Sequence, residues 1–432
     1  YGVFDEKRLF VPGPLPGGVA FRGFKLGVMT CEDMWKPKVT KSVMQDGADI
    51  LLVLNGSPFE MEKTGLREEL ARARVRESGL ALVYVNQVGG QDELVFDGAS
   101  FVMDPDGHVR AQLPAFASEV ATVRFSADNA TLVPHDGPMT VQPTENEAIY
   151  KALVLGLGDY VNKNYFPGVM VGLSGGVDSA ITAAVAVDAL GAERVHCVMM
   201  PSPYTSTESL EDAAEAAKLL GVKLNSISIQ PAMETFDALL KEQFVSHAAD
   251  TTEENIQARS RGMLLMAMSN KFGYMVLSTG NKSEMSVGYA TLYGDMCGGY
   301  NILKDVYKTR VFELCRWRNS HHVDGLQGPQ GRAVPERIIT KPPSAELKPN
   351  QTDQDSLPPY DALDDILWCL IEQEMGVREI AKRGHDLDVV QRVWRLLDRA
   401  EYKRRQAPPG VKISSRAFGR DRRYPLTNGY TG

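Results

Sequence analysis

The sequence has no hydrophobic run that approaches the ~20 residues a membrane-spanning helix requires, and its N-terminus has no signal-peptide pattern. Its cysteines are few, odd in number and widely spaced, and no two of them form a Cys-x-x-Cys pair. These absences argue against a membrane protein, a disulfide framework and a structural zinc site. We therefore expect a protein of the reducing cytoplasm.

The chain also lacks an excess of positive charge. Its formal net charge is −8, and a basic cluster is visible only in the tail, at residues 416–423. A protein that binds nucleic acid usually presents a basic face or arm. We therefore expect no nucleic-acid partner and no membrane partner.

The length of 432 residues exceeds what one hydrophobic core usually supports, so two domains are expected. The first, residues 1–125, contains short apolar runs typical of strands, at 25–30, 50–54, 81–86, 99–103 and 120–125. One helical pattern lies among them, at 65–77. Polar, proline-bearing sequence at 126–147 is typical of an interdomain linker.

The second domain, residues 148–432, alternates helix and strand patterns. Strands are predicted at 168–174, 194–200, 223–229 and 274–278, and helices at 179–190, 209–220, 231–244 and 255–272. This alternation predicts an α/β fold with a doubly wound parallel sheet and ligands at the carboxyl ends of its strands. A stretch at 321–360 is rich in Pro, Gly and Gln and is either a disordered linker or an active-site lid. Helices resume at 362–405.

The most informative stretch is Val171-Gly-Leu-Ser-Gly-Gly-Val-Asp-Ser-Ala180, between an apolar segment of strand length and an Ala-rich helical segment. A turn at that junction presents free backbone N–H groups at a helix N-terminus, where the dipole also favours an anion. The two adjacent glycines lack a Cβ, so an anion can approach the main chain. Ser174 and Ser179 add hydroxyl donors, and Asp178 offers an oxygen ligand for Mg²⁺. The stretch predicts a pyrophosphate site.

The full string resembles the PP-loop of the ATP pyrophosphatase superfamily, whose enzymes split ATP between the α and β phosphates and adenylylate a substrate. It is not a Walker A loop, because no Gly-Lys-Ser/Thr follows. For the two glycines alone, a turn without a ligand remains the alternative. The resemblance implies that ATP is bound by Gly172, Leu173, Ser174, Gly175, Gly176, Val177, Asp178 and Ser179.

Further strings follow the PP-loop in order: Thr251-Thr-Glu-Glu-Asn-Ile-Gln-Ala-Arg259, Leu277-Ser-Thr-Gly-Asn-Lys-Ser-Glu284, Tyr289-Ala-Thr-Leu-Tyr-Gly-Asp295 and Ile302-Leu-Lys-Asp-Val-Tyr-Lys308. Singly, helix capping and surface charge explain each of them as well. Together they resemble the synthetase domain of glutamine-dependent NAD synthetases, from about residue 148 onward. Residues 344–356 resemble this family's mobile loop, which favours a lid at 321–360.

The resemblance implies that the carboxylate of deamido-NAD⁺ (nicotinic acid adenine dinucleotide) is adenylated by ATP with Mg²⁺ and then amidated by ammonia. Thr279 and Lys304 would also contact ATP, and Asp178 and Glu284 would hold the metal. Deamido-NAD⁺ would be bound by Asn255, Glu284, Asp295 and Lys403, although a basic helix end also explains Lys403. The family also implies a homo-oligomer, at least a dimer.

In the first domain, the run Leu26-Gly-Val-Met-Thr-Cys-Glu-Asp-Met-Trp35 places Cys31 at the tip of an apolar strand. Such a cysteine is by default a buried, inert thiol. The Cys-Glu-Asp-x-Trp pattern, however, resembles the nucleophile elbow of nitrilase-fold amidases, in which a thiolate attacks glutamine and releases ammonia through a thioester. The resemblance assigns catalysis to Cys31 and glutamine binding to Tyr1, Ser57 and Lys63.

The same resemblance places the family's general-base Glu and its catalytic Lys ahead of Tyr1. We therefore expect a partial nitrilase-like α/β sandwich here, as a trimmed portion of a longer protein, because a sandwich without several elements would expose core strands. Lys7 belongs to a different position of the family's motif, so the role of the catalytic Lys is not assigned to it.

Three alternatives remain open. Another PP-loop amidotransferase, forming GMP or asparagine, would pair the loop with a different glutaminase fold. A tRNA-thiolating PP-loop enzyme would carry extra cysteines near the loop and a basic face. The third alternative is a non-catalytic fragment that still binds ATP, which the sequence cannot distinguish from an active enzyme.

Overall fold

The computed structural model describes residues 9–61, 63–128, 131–321, 324–349 and 351–430. Tyr1, predicted to bind glutamine, lies outside these residues. The chain divides into two compact units, residues 1–90 with 94–152 and residues 91–93 with 153–432. The division falls inside one helix, α3 (Glu145–Lys163), which also contains the boundary predicted near residue 148.

A mixed sheet forms the centre of the first unit, in the strand order β1-β2-β3-β4-β7-β8. Its members are β1 (Val19–Phe21), β2 (Phe24–Thr30), β3 (Ile50–Asn55), β4 (Leu82–Asn86), β7 (Phe101–Met103) and β8 (Val109–Gln112). The neighbours β2, β3 and β4 run parallel. Helices α1 (Pro37–Gln45) and α2 (Lys63–Ser78) make the two crossovers that parallel neighbours require. The carboxyl ends of β2 and β3 therefore meet at one edge.

Two hairpins complete the first unit: β5 (Val88–Gln91) with β6 (Leu94–Asp97), and β9 (Phe125–Asp128) with β10 (Thr131–Pro134). The predicted strand at 120–125 is wrong, since Val120 is 99% exposed and the strand begins at Phe125. The segment predicted as a linker contains the second hairpin, and its Leu132 is buried against Ile50 and Ala81. Pairing with β9 orders this polar stretch, and that pairing is invisible to local composition.

The second unit is built on a five-stranded parallel sheet in the order β13-β12-β11-β14-β15. Its strands are β11 (Val169–Gly172), β12 (Val195–Met199), β13 (Lys223–Ser226), β14 (Met275–Ser278) and β15 (Tyr300–Asn301). The predicted doubly wound fold is thus confirmed, with shorter strands than expected. The central strand β11 reads Val-Met-Val-Gly because a parallel strand is covered on both faces.

The helices of the second unit follow the strands. They are α4 (Val177–Leu190), α5 (Thr207–Leu220), α6 (Gln230–Leu240), α7 (Thr251–Phe272), α8 (Lys282–Val287), α9 (Lys308–Ser320), α10 (Glu336–Thr340), α11 (Tyr360–Ile371), α12 (Val377–Ala381), α13 (Leu387–Arg399) and α14 (Glu401–Arg404). Within the described ranges, no helix is both long enough and apolar enough to cross a bilayer.

A buried ion pair joins α4 to α9 and to the segment that follows α9. Arg318 donates from Nε to Asp188 Oδ2 at 2.7 Å and from Nη2 to Asp188 Oδ1 at 3.0 Å. Its remaining N–H groups reach the carbonyls of Pro329 and Gly331. Neither side chain is more than 2% exposed. The first part of the stretch predicted as a loop is therefore held against the core by one guanidinium.

We predict that Arg318→Ala lowers the free energy of unfolding of the second unit by about 3–5 kcal/mol, because it leaves the Asp188 carboxylate buried without its partner. Urea denaturation followed by tryptophan fluorescence measures the change. Arg316→Ala, at an exposed position of the same helix, is the matched control and should change stability by less than about 0.5 kcal/mol. Equal effects of the two substitutions would contradict the role given to the pair.

Candidate active sites

The loop between β11 and α4 has the backbone of an anion cradle. Gly175 adopts φ +80°, and a Cβ added there would lie 2.3 Å from the carbonyl oxygen of Ser209. Only glycine fits both the left-handed conformation and the close approach. Gly176 then serves as the N-cap of α4, so the first N–H groups of that helix face the loop.

Hydroxyl groups fix the shape of this loop from inside. Ser179 Oγ donates to the carbonyl of Gly176 at 3.0 Å and accepts from the backbone N–H of Ser174 at 3.2 Å. The two serine hydroxyls are also 3.0 Å apart, and Gly176 N donates to Ser174 Oγ. The loop is thus ordered by its own side chains, which is how a preorganised phosphate site is built.

One lysine bridges two carboxylates beside the cradle. Lys308 Nζ contacts Asp178 Oδ2 and lies 3.0 Å from Glu284 Oε1. Asn281 Nδ2 donates to the other oxygen of Asp178 at 2.9 Å. The lysine side chain is 3% exposed and each carboxylate 17% exposed. Asp178 is the second residue of α4, inside its first turn, so it is not the N-cap.

The electrostatics of this cluster follow from burial and charge. Burial alone would lower the pKa of Lys308, but Asp178 and then Glu284 raise it above the ordinary value. The pKa of Glu284 is raised to about 7. Burial is the main cause, the charge of Lys308 opposes the rise, and the charge of Asp178 adds to it. The two carboxylates thus favour the ammonium form of Lys308, whereas burial disfavours the ionised form of Glu284.

A third carboxylate, Asp353, lies at the same cavity. Tyr360 donates its hydroxyl to Asp353 Oδ2 at 2.8 Å, and the Tyr289 hydroxyl also interacts with this carboxylate. Burial raises the pKa of this group. The Asp353 carboxylate adds to those of Asp178 and Glu284 as an oxygen donor at this cavity.

A cavity of about 640 Å³ opens at the carboxyl ends of β11, β12 and β14. Its size suits a nucleotide. The structure places ten of the predicted site residues on its wall: Gly172, Leu173, Ser174, Gly176, Val177, Asp178, Ser179, Thr279, Glu284 and Asp295. Gly175, the remaining residue of the predicted loop, is not among the lining residues, and the roles of all these residues toward ligands stay predictions.

Lys304 has a different environment. Its Nζ lies 2.7 Å from Glu93 Oε1, in the short segment grouped with the second unit, and it is not among the described lining residues. Lys308, four residues later, is the lysine on the wall. The sequence held a signal that could have pointed to Lys308. This lysine begins helix α9, where the helix dipole disfavours a cation unless acidic groups lie beside it.

Asn255 and Lys403 lie behind the wall instead of on it. Lys403 Nζ donates to the carbonyls of Gly288 and Ala290 at 2.7 and 2.6 Å. Asn255 Oδ1 accepts from the Thr291 hydroxyl at 2.9 Å. Both residues thus hold the loop at 288–291.

Asp295 is the member of this group that faces the cavity. It accepts from the backbone N–H of Thr291 at 2.7 Å, which ties it to the same loop. Burial raises its pKa to about 6, against opposing hydrogen bonds and Lys403.

The stretch predicted as a lid supplies one wall of the cavity, with residues 341–348 and 351–353. Glu346 accepts hydrogen bonds from the hydroxyls of Ser206 and Ser209 at 2.7 and 2.8 Å. Lys341 donates to Ser209 and to Asp212 at 3.0 Å. The described part of this stretch is therefore attached to the N-terminal turn of α5, and its mobility stays a prediction.

In the first unit, Cys31 follows β2 directly and adopts φ +45°, an uncommon conformation for a side-chain-bearing residue. Its thiol is partly exposed. Burial raises the pKa of the thiol, Glu32 adds to the rise, and the Gly56 N–H and Lys63 oppose it. A strained turn that presents a thiol at the end of a parallel strand is the geometry of a nucleophile elbow.

Ser57 and Lys63, two of the residues predicted to bind glutamine, are both buried in this unit. Lys63 is 8% exposed and its Nζ lies 3.6 Å from Glu60 Oε1. Ser57 is 5% exposed, and its hydroxyl accepts from Arg67 Nε at 3.1 Å. The Ser57 hydroxyl is thus engaged in the protein's own network.

The second unit is therefore a nucleotide-binding α/β domain of the type that activates a substrate with ATP, and the first has the strand–elbow arrangement of a carbon–nitrogen hydrolase. Comparison with known families agrees. The NAD synthase family model matches residues 149–407, and the carbon–nitrogen hydrolase model matches residues 2–134.

Relatives named as glutamine-dependent NAD(+) synthetases match the chain over its length. One from Rhodobacter capsulatus is 51% identical over 99% of this chain and 77% of its own. One from Acinetobacter baylyi is 49% identical over 100% of this chain and 78% of its own. A solved structure of the Acinetobacter baumannii protein in complex with ADP has a TM-score of 0.75 at 48% identity, covering 99% of this chain and 77% of that one. The chain belongs to the family of glutamine-dependent NAD synthetases.

We predict that Gly175→Ala weakens the binding of a non-hydrolysable ATP analogue, measured by calorimetry, because the left-handed backbone alone carries about 1–3 kcal/mol of strain for alanine. The added Cβ must also move the backbone of Ser209. Gly158→Ala, in helix α3 with only ordinary contacts around the new Cβ, is the matched control. Unchanged affinity in Gly175→Ala would show that the loop does not hold the phosphates.

Proposed function

We propose that the protein converts deamido-NAD⁺ to NAD⁺, using ATP to activate the carboxylate and glutamine as the source of ammonia. The observation that carries the proposal is the loop with its left-handed turn at Gly175, which brings Gly176 and the Asp178–Lys308–Glu284 cluster to one cavity of nucleotide size. The family supports the same reaction. Neither a tRNA-modifying enzyme nor a different PP-loop amidotransferase is supported by the matches.

The cradle favours cleavage of ATP between its α and β phosphates. An oxygen of the nicotinate carboxylate attacks the α-phosphorus, and the bond to the β-phosphate oxygen breaks. Pyrophosphate then leaves with the negative charge that the N–H groups of the loop and the dipole of α4 stabilise. Lys308 adds a point charge on the same side of the cavity. Ammonia attacks the acyl carbon of the resulting adenylate, and AMP leaves.

The residues present fit a magnesium ion. Asp178 and Glu284 would hold it, and the carboxylate of Asp353 offers a further oxygen on the wall of the same cavity. Mg²⁺ prefers such oxygen ligands and often binds through one or two carboxylates and substrate phosphates. When bound, it would neutralise charge on the pyrophosphate.

For deamido-NAD⁺ we propose direct contacts with Glu284 and Asp295, which face the cavity. The environments of Lys403 and Asn255 support a role for both through the loop at 288–291 that they hold. A contribution of Lys304 to ATP binding would require it to leave Glu93, so Lys308 is the better candidate.

For the first unit we propose that the Cys31 thiolate attacks the carboxamide carbon of glutamine, expelling ammonia and leaving a thioester that water hydrolyses to glutamate. The left-handed turn at Cys31 and the nearby Lys63 and Gly56 support this role. Lys63 offers a cation for the carboxylate of glutamine. Ser57 contributes by shaping the loop, and Tyr1 remains assigned by resemblance alone.

We propose a homo-oligomer, because large apolar side chains of α6 and α7 are exposed on the second unit. Phe236 is 43% exposed, Leu239 70%, Met263 72% and Phe272 57%. Apolar side chains left exposed on neighbouring helices are typical of an interaction surface. Location in the cytoplasm, without a nucleic-acid or membrane partner, stays part of the proposal.

We predict that Asp178→Ala abolishes NAD⁺ formation with either glutamine or ammonium, because both routes use the same adenylation step. Turnover is measured with deamido-NAD⁺, ATP and Mg²⁺. Asp237→Ala, an exposed aspartate on α6, is the control and should retain activity. Near-normal ammonium-driven turnover in Asp178→Ala would refute the place of this carboxylate in the site.

We predict that, in the full-length protein, Cys31→Ala eliminates glutamine-driven synthesis and leaves ammonium-driven synthesis largely intact, because the thioester serves only to supply ammonia. The two nitrogen donors are compared side by side on the same preparation. Loss of both activities in a folded variant would contradict the division of labour, and retention of glutamine-driven synthesis would remove Cys31 from catalysis.

A further inference from the structure

Arg67 of α2 is buried beside the elbow and binds a carboxylate and a loop at once. It is 5% exposed, and its Nη1 donates to both oxygens of Asp97 at 2.8 Å. Its Nη2 donates to the carbonyls of Ser57 and Pro58 at 2.9 Å, and its Nε to the Ser57 hydroxyl at 3.1 Å. All three nitrogens of the guanidinium are therefore occupied.

The loop to which Arg67 donates these hydrogen bonds follows β3 and comprises residues 56–59. Asn86, the last residue of β4, also forms hydrogen bonds with this loop. Its Oδ1 accepts from Ser57 N at 2.9 Å, and its Nδ2 donates to Ser57 O at 3.1 Å. The backbone of Ser57 is thus fixed at both its N–H and its carbonyl.

This fixed loop meets the thiol. The backbone N–H of Gly56, the residue before Ser57, lowers the pKa of the Cys31 thiol and so favours its thiolate. The strands β2 and β3 are parallel neighbours with Thr30 opposite Leu54, so the two loops leave the sheet side by side. A shift of the Ser57 peptide would carry the Gly56 N–H with it.

We propose that Arg67 is a positioning residue of the glutaminase, tying the 56–59 loop to Asp97 and so holding the Gly56 N–H against Cys31. The inference rests on the proposed function of the first unit. A buried ion pair is weak evidence for stability, because its desolvation offsets its attraction. A planar guanidinium that donates to three acceptors of one loop does, however, strongly constrain the position of that loop.

Arg67→Lys tests the proposal because it keeps the charge near Asp97 but cannot reproduce the fork. The protein is treated with iodoacetamide between about pH 6 and pH 10, and alkylation of Cys31 is followed by peptide mass spectrometry. Cys297, partly exposed in the second unit, is the reference thiol in the same molecule. Arg72→Lys, on the same helix, is the matched control. Asp97→Asn provides a second perturbation of the same pair.

We expect Arg67→Lys to move the midpoint of Cys31 alkylation upward by about half a pH unit or more and to leave that of Cys297 unchanged. Glutamine-driven kcat/KM should fall about ten- to a hundredfold, with ammonium-driven turnover retained. Asp97→Asn should act in the same direction, and Arg72→Lys should change neither quantity.

An unchanged Cys31 midpoint in Arg67→Lys would overturn the proposal. A shift seen only in variants that have lost the unfolding transition of the first unit would also overturn it, because Arg67 would then support the fold and not the loop. Failure of the full-length, unsubstituted protein to use glutamine would count against the proposed function instead, since the thiol measurement does not depend on turnover.

Discussion

The ammonium group of Lys308 sits between the carboxylates of Asp178 and Glu284, and the arrangement of the nucleotide site depends on the balance among these three charges. Two carboxylates in a partly desolvated site repel each other unless a cation separates them. Lys308 supplies that cation from within the chain. Asp178 and Glu284 would hold a divalent cation when one is bound, and the ammonium group of Lys308 would then be available to the phosphates of ATP.

The fold brings these groups together because parallel strands end at one edge of the sheet. Helix α4 follows β11, α8 follows β14 and α9 follows β15, so Asp178, Glu284 and Lys308 each lie in the first turn of a helix that begins at that edge. Behind them, Lys282 is fully buried and bonds Asp305 and the Ser414 hydroxyl, each at 2.7 Å. This second charge network fixes the start of α8 and the loop before α9.

The sequence predicted the sheet, the cradle and the thiol elbow because each is a local pattern joined to a turn. It did not predict helix α1 or the hairpin of β9 and β10, whose order comes from packing and pairing with distant residues. Nor could it choose between Lys304 and Lys308, two lysines in one string, since the choice depends on which carboxylate each one meets in space. The role of Arg67 could not be predicted for the same reason, because its partners lie about ten and thirty residues away in the sequence.

The transfer of one oxygen atom tests the proposed chemistry most directly. Deamido-NAD⁺ labelled with ¹⁸O in both oxygens of its nicotinate carboxylate is turned over with ATP and ammonium, and the products are analysed by mass spectrometry. Attack on the α-phosphorus predicts AMP with one labelled oxygen and NAD⁺ that keeps the other in its amide carbonyl. Unlabelled AMP, or formation of ADP and labelled phosphate, would contradict cleavage between the α and β phosphates at this cradle.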